Sequence, residues 1–449
     1  MAIINHQDGH VSKDDNKLFD ILVKWNFWDK TSIETGYPRT LHSQILPHIA
    51  PPEIIVIKGV RRSGKSTLML QLMNVLRERG VSAEDMLYIN FEEPLFIDQP
   101  GIEILDRLYR IYRERINPQR FPYLFLDEIQ HVPEWERWAR VKTDLREAKL
   151  FVTGSSANLV GAEYSTLLTG RNLSFTVYPL SFAEFLSFKG CAGPFDPLFL
   201  ARNEPLIRNL LREYLQFGGF PEVVLRETAV GKEKLLKQYF EDLLYRDIVS
   251  RYRLRDVRTL KNIALYCMTN VSNLFSYTRL KNILSVPLDV VRNYTGYMAE
   301  TYMIMEVPKH SFEISEQLRN PKKIYVMDNG MRNAVSYRFS EDLGRLAENA
   351  VYGQLIRQEG DIFYYKNRGE VDFLVRNGIQ VTNLIQVSMI GEEEGPTLRR
   401  EQDALADAMQ DLGILEGLII TESREETLEI PQGTLRMVPL WKWLLYWGK

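Results

Sequence analysis

The stretch 53–80, EIIVIKGVRRSGKSTLMLQLMNVLRERG, decides the fold. It opens on a short β-branched run, EIIVIKGV, which reads as a buried strand entering a turn near Gly59. A helical pattern, STLMLQLMNVLRERG, follows and stops at Gly80. Between strand and helix stands Gly59-x4-Gly64-Lys65-Ser66, a full phosphate-loop spacing. Glycines there let backbone N–H groups curl around phosphate oxygens at a helix N-terminus. Lys65 is a point charge for the β- and γ-phosphates, and Ser66 offers a hydroxyl to Mg²⁺. The nucleotide-binding set is therefore Gly59, Arg61, Arg62, Ser63, Gly64, Lys65, Ser66 and Thr67.

Working outward, DMLYINFE reads as a second strand, LDRLYRIYRERI as a helix, YLFLDEIQ as a third strand and KLFVTGSS as a fourth. Strands alternating with helices imply a parallel sheet whose active site lies at the C-terminal strand ends. The third strand delivers Asp127 to the Mg²⁺ shell and Glu128 to the attacking water as general base. After the fourth, Thr153 and Ser155 stand where a polar group would read the γ-phosphate or the water; an N-cap for the next helix explains Ser155 or Ser156 equally well.

Composition sets outer bounds. At 449 residues, 45% hydrophobic and 26% charged, this is an ordinary globular chain of several domains. A formal net charge of -3 excludes a uniformly basic protein held on nucleic acid by bulk charge, while allowing a local basic face. Two cysteines, Cys191 and Cys267, argue against a disulfide framework or a cysteine zinc site. The polar start is not a signal peptide, and no run approaches the ~18 apolar residues of a membrane span, so a cytoplasmic protein without membrane association is expected.

Residues 15–310 resemble the archaeal-type prokaryotic ATPases of the AAA+/STAND lineage, through GVRRSGKST, LFLDEIQ, TGSS, LTGR, YPLSFAEF and FGGFPEVV (217–224). The resemblance implies ATP and Mg²⁺ as cofactors, Thr153 and Ser155 as the sensor region, and a ring-like homo-oligomer. It also implies Arg171 as an arginine finger reaching a neighbour's nucleotide, although Arg171 read alone could equally be a surface ion-pair residue. Gly218, Gly219 and Pro221 would open a helical lid near the adenine; read alone, they make a turn between helices.

Segment 234–312 reads as mainly helical. It carries Arg246, Arg251, Arg253, Arg255, Arg258 and Lys261 with Tyr245 and Tyr252 among them, which suits a phosphate backbone or a solvated helix face. A helix, a break at Ser285-Val286-Pro287, a second helix and the apolar YMIMEV resemble a winged helix-turn-helix, with Arg292 and Asn293 as polar readers if it meets DNA and a structural, nucleotide-sensing module otherwise.

Beyond 336, a helix carrying Glu348 and the strands IFYYK, GEVDFLV and NLIQVSM resemble a restriction-endonuclease-type core of the PD-(D/E)xK kind. Active versions bind Mg²⁺ at positions matched here by Asp372 and Gln386. Gln386 is a weaker ligand than Glu, and the expected lysine two residues on is Ser388. Glu370 would share a strand face with Asp372, Val371 pointing the other way. A non-cleaving remnant or a DNA-shape platform is thus expected rather than a nuclease. The tail LWKWLLYWGK concentrates Trp441, Trp443 and Trp447.

The expected fold is an α/β P-loop sheet followed by a helical lid and winged helix and an α+β nuclease-like domain. Its segments are 1–50, 51–190, 191–335 and 336–449. Its expected partners are ATP/ADP, DNA and further copies of itself. The expected activity is ATP turnover coupled to DNA binding or remodelling. A slow nucleotide-gated switch on protein partners and an ATP-dependent nuclease remain as alternatives.

Overall fold

A computed structural model describes residues 13–30, 32–50, 52–96, 101–160, 170–336, 343–358, 360–389 and 395–446. Trp447 and the acidic run Glu392 to Glu394 lie outside the described residues. The chain divides into two compact units, Met1–Gly59 with Gly64–Val177, and Val60–Ser63 with Tyr178–Lys449.

The first unit is built on five strands: β1 (Ile54–Lys58), β2 (Met86–Asn90), β3 (Tyr123–Asp127), β4 (Lys149–Gly154) and β5 (Asn172–Thr176). They form one parallel sheet in the order β2-β3-β4-β1-β5. Each central strand is an unbroken apolar run because both faces are covered. Period-two alternation then sorts the run between two cores. Ile54, Val56, Leu87, Ile89, Leu124, Leu126, Leu150 and Val152 pack on one side with Leu18, Ile21 and Leu22 of the helix Lys13–Trp25. Ile55, Ile57, Phe125 and Phe151 pack on the other with Leu68, Met69, Leu72 and Leu76 of the helix Lys65–Glu78. Fully burying each such side chain contributes about 1.5–3 kcal/mol, which is what holds the strand ends in place. Leu126 pairs with Val152, and Ile57 with Thr153, so the C-terminal ends of β1, β3 and β4 meet in one row.

The second unit holds two sheets. Strands β6 (Leu274–Phe275), β7 (Ile304–Val307) and β8 (Lys322–Val326) make a small antiparallel sheet in the order β6-β8-β7. The helices Tyr277–Leu284 and Leu288–Glu300 are separated by Ser285 in the left-handed region (φ 53), where the sequence expects a break. Strands β9 (Asp361–Lys366), β10 (Glu370–Asn377), β11 (Gln380–Ser388), β12 (Glu416–Thr421), β13 (Glu426–Ile430) and β14 (Gly433–Pro439) form a mixed sheet in the order β13-β14-β12-β11-β10-β9. The helices Leu343–Leu355 and Leu440–Tyr446, the latter with Trp441 and Trp443, share one core of this unit, and the helix Pro396–Leu412 packs in another.

One local expectation fails in β10. Strict alternation would set Val371 and Phe373 on one face. Instead Val371 and Leu374 lie in one core and Phe373 and Val375 in the other, because the register slips between Val371 and Leu374. A bulge of this kind re-aims side chains, and Asp372 lies within it.

Candidate nucleotide site and C-terminal ion cluster

The phosphate loop has the backbone its spacing requires. Gly59 adopts φ 147, and a Cβ there would lie 2.1 Å from the Val177 carbonyl oxygen, so no other residue fits. Gly64 sits at φ 97 immediately before the helix Lys65–Glu78, and a helix N-terminus attracts an anion. Lys65 is buried; its ammonium donates to the Gly59 carbonyl at 3.2 Å and lies 3.4 Å from Glu128 Oε1. Within the second unit, Arg61 lies 3.4 Å from Asp247, and Arg62 lies 3.8 Å from both Glu222 and Asp242.

Asp127 and Glu128 stand at the end of β3 as the sequence indicates. Burial raises the Asp127 carboxyl, Glu128 adds to the shift, and hydrogen bonds from Ser66, Thr153 and Tyr88 oppose it. Tyr88 on β2 donates to Asp127 Oδ2 at 2.7 Å, and the Thr153 hydroxyl donates to Oδ1. Thr153 also accepts the Glu128 N–H at 2.8 Å, so a single hydroxyl ties both acidic residues together. Glu128 is left-handed (φ 53), and its Oε2 accepts from Gln130 Nε2 at 2.5 Å. The same Gln130 amide lies 3.4 Å from Ser155 Oγ. A Cβ on Gly154 would lie 2.6 Å from Gln130 Oε1, so this glycine makes room for the arm. Tyr88 and Gln130 escaped the sequence reading, since neither belongs to a spaced motif. Register alone places Tyr88 beside β3, in the pair Tyr88–Phe125.

Arg171 forms a 2.5 Å ion pair with Asp144 of its own chain. Pro221 is the first residue of the short helix Pro221–Leu225, and the glycines before it make a pinned turn. The Gly219 N–H donates to Asp328 Oδ2 at 2.7 Å, and its carbonyl accepts the Leu180 N–H at 2.7 Å. Burial pushes the Asp328 carboxyl up to about 6, against hydrogen bonds from Gly219, Met331 and Gly330.

Of the basic stretch, Arg246, Arg251, Arg253, Arg255 and Arg258 are exposed and Lys261 is half-buried. Tyr252 stacks on Tyr297 with ring centroids 3.7 Å apart, which brings the turn carrying Arg251 and Arg253 against the helix Leu288–Glu300. Arg292 and Asn293 are exposed on that same helix.

The C-terminal residues Glu348, Asp372 and Gln386 do come together, with a member the sequence reading lacked. Lys323 of β8 places its ammonium 2.8 Å from Asp372 Oδ1, 3.0 Å from Glu370 Oε1 and 3.2 Å from Glu348 Oε1. Tyr325 OH donates to Glu348 Oε1 at 2.6 Å. Gln386 Oε1 accepts the Asp372 N–H at 3.1 Å, and Asp372 Oδ2 accepts the Val387 N–H at 3.0 Å. Burial and then Asp372 push the Glu348 carboxyl up to about 7. Burial would lower the Lys323 ammonium, but the three carboxylates outweigh it and raise it. A cavity of about 450 Å³ adjoins the cluster, lined among others by Arg368, Asp372, Gln386, Arg400 and Glu401. Among the described residues no helix is long and apolar enough to cross a membrane.

These features are those of a P-loop nucleotide site, and the AAA domain family model matches residues 51–186. A domain of unknown function, DUF8612, matches 208–342. The chain belongs to the same family as an uncharacterised protein of Methanocaldococcus jannaschii, to which it is 31% identical over 423 residues, 91% of each chain. An uncharacterised Haemophilus influenzae protein is 29% identical over 335 residues, 73% of this chain and 80% of that one. Among solved structures, the Aeropyrum pernix ORC1 protein in complex with DNA matches with a TM-score of 0.30 at 13% identity, covering 66% of this chain and 90% of that one. AMPPCP-bound DnaA from Aquifex aeolicus matches with a TM-score of 0.27 at 12% identity, covering 58% and 86%.

Proposed function

We propose that this chain is a cytoplasmic, ring-forming ATPase that hydrolyses Mg-ATP and couples turnover to binding or remodelling DNA. The observation that carries the hydrolysis is the placement of Lys65, Asp127 and Glu128 around one loop. Asp127 is almost fully buried, and its charged form is disfavoured by desolvation; a cation beside it removes that penalty, so the residues fit Mg²⁺. Ser66 and Asp127 would hold the ion, which when bound offsets charge on the β- and γ-phosphate oxygens. Lys65 would leave Glu128 for a phosphate oxygen, freeing the Glu128 carboxylate to accept a proton from the attacking water. Thr153 and Gln130 hold the backbone and the carboxylate of Glu128 during that exchange. Arg171 would supply transition-state charge to a neighbouring subunit after breaking its pair with Asp144.

The DNA half of the reading is supported by Arg251, Arg253 and Arg255, exposed on a turn that an aromatic stack fastens to the second helix of a helix–turn–helix. The test is steady-state ATP hydrolysis with and without single-stranded, duplex, bubble and branched DNA, Lys65→Ala serving as the inactive control. Stimulation several-fold by one DNA form is expected. Slow turnover indifferent to all forms would remove DNA coupling and favour a nucleotide-gated switch acting on protein partners.

A further inference from the structure

The resemblance of the C-terminal domain to metal-dependent nucleases asks for a divalent ion between Glu348, Asp372 and Gln386, and the residues do not fit one. We infer that the Lys323 ammonium is the resident cation of this cluster, so the C-terminal domain is metal-independent and β8 is latched to β10 by charge.

A lysine ammonium has three N–H donors, and here it meets three carboxylates at 2.8, 3.0 and 3.2 Å. Those are ammonium–carboxylate hydrogen-bond lengths, whereas Mg²⁺ needs ligand oxygens at about 2.0–2.1 Å. The carboxylates accept further bonds as well. Asp372 Oδ2 accepts the Val387 N–H, Glu370 Oε2 accepts from Lys366 at 3.0 Å, and Glu348 Oε1 accepts a second bond from Tyr325. Gln386, which a metal site would need as a ligand, spends its carbonyl oxygen on the Asp372 N–H. Among the described residues no group of three or more His, Cys, Asp or Glu is arranged to hold a metal ion.

Burial explains why the position cannot stand empty. Lys323 is 2% exposed and Asp372 7%, and carboxylates at that depth must be neutralised by a cation or by protons. Sequence proximity does not supply the cation, because Ser388 replaces the lysine expected beside Gln386. The fold supplies it from 49 residues upstream of Asp372. Lys323 belongs to the three-stranded sheet and Asp372 to the six-stranded one, so this single side chain joins the helix–turn–helix segment to the C-terminal domain.

The test is Mn²⁺ binding to the full-length, nucleotide-free protein, read as loss of the free-ion paramagnetic resonance signal. Wild type and Asp372→Asn should give the same isotherm up to millimolar Mn²⁺. Lys323→Met should gain one site, lost again in Lys323→Met/Asp372→Asn. A wild-type site tighter than about 1 mM that disappears in Asp372→Asn overturns the inference, as does a folded Lys323→Met that gains nothing. Should Lys323→Met fail to fold, the comparison of wild type with Asp372→Asn still decides. In parallel, Mg²⁺-dependent cleavage of plasmid or single-stranded DNA should be absent from wild type, and cleavage lost in Asp372→Asn would overturn the same claim.

Discussion

Two buried lysines in this chain face carboxylates, and the difference between them separates the proposed nucleotide site from the latch. Lys65, at the first residue of a helix, lies 3.4 Å from one Glu128 oxygen and donates to a neutral carbonyl at 3.2 Å. Lys323 sits on a strand with three carboxylates at hydrogen-bond distance. An ammonium beside one carboxylate at the head of a phosphate loop can exchange it for a phosphate oxygen. One held by three carboxylates has no better partner to move to. Residue type is the same in both places; the charge of the carboxylates gathered around each ammonium sets whether that charge is spent on ligand or on structure.

The largest expected effect strikes the proposed nucleotide site. Glu128→Gln should lower kcat about 10²–10⁴-fold while nucleotide affinity stays near wild type, measured by steady-state turnover beside equilibrium nucleotide binding. Lys65→Ala should lose both. A Glu128→Gln protein that still turns over at the wild-type rate would place the general base elsewhere.

The next effect strikes the latch. Lys323→Met leaves carboxylates buried without their cation and should cost about 3–5 kcal/mol locally, seen as faster amide exchange across β8 and β10. Lys65→Met should leave exchange across β1 nearly unchanged. Equal losses at the two lysines would erase the distinction drawn here.

A third prediction concerns pH. Asp328 has a raised carboxyl, about 6 against an ordinary value of 3.8. The folded state therefore binds the proton more tightly, and this contribution to stability is present below pH 3.8 and lost as pH rises through about 6. The span corresponds to about 3 kcal/mol at most. Asp328→Asn should flatten the pH dependence of exchange in the Gly218–Gly219 turn between pH 4 and 6, and a slope unchanged by the substitution would contradict the assignment.

The smallest effect lies at the surface. Arg251→Ala and Arg253→Ala should each reduce the salt slope of DNA binding by about one, with little effect on ATP turnover without DNA. A slope that does not move would take these residues off the DNA path.

How much of this was legible beforehand differs between the two sites. The phosphate loop and the Asp127–Glu128 pair are local: each motif is a few consecutive residues at the end of one strand, so spacing reveals them. The pair of helices Tyr277–Leu284 and Leu288–Glu300 is readable for the same reason, through the break at Ser285-Val286-Pro287. The C-terminal carboxylates were readable as a set, but their sum was not. The missing lysine comes from another sheet, and the bulge between Val371 and Leu374 leaves no mark in the run EVDFLV. Tyr88 and Gln130 are hidden likewise, since each acts through a neighbour brought close only by β2–β3 register or by the turn after Glu128.

By itself, then, the sequence determined the parallel sheet, the nucleotide loop and its acidic partners, because β-branched runs, glycine conformations and short spacings are local physics. Only the tertiary structure decided what the C-terminal carboxylates do. Charge balance at a buried site depends on every group within a few ångströms, and here Lys323 and Asp372 become neighbours across 49 residues only when two sheets meet.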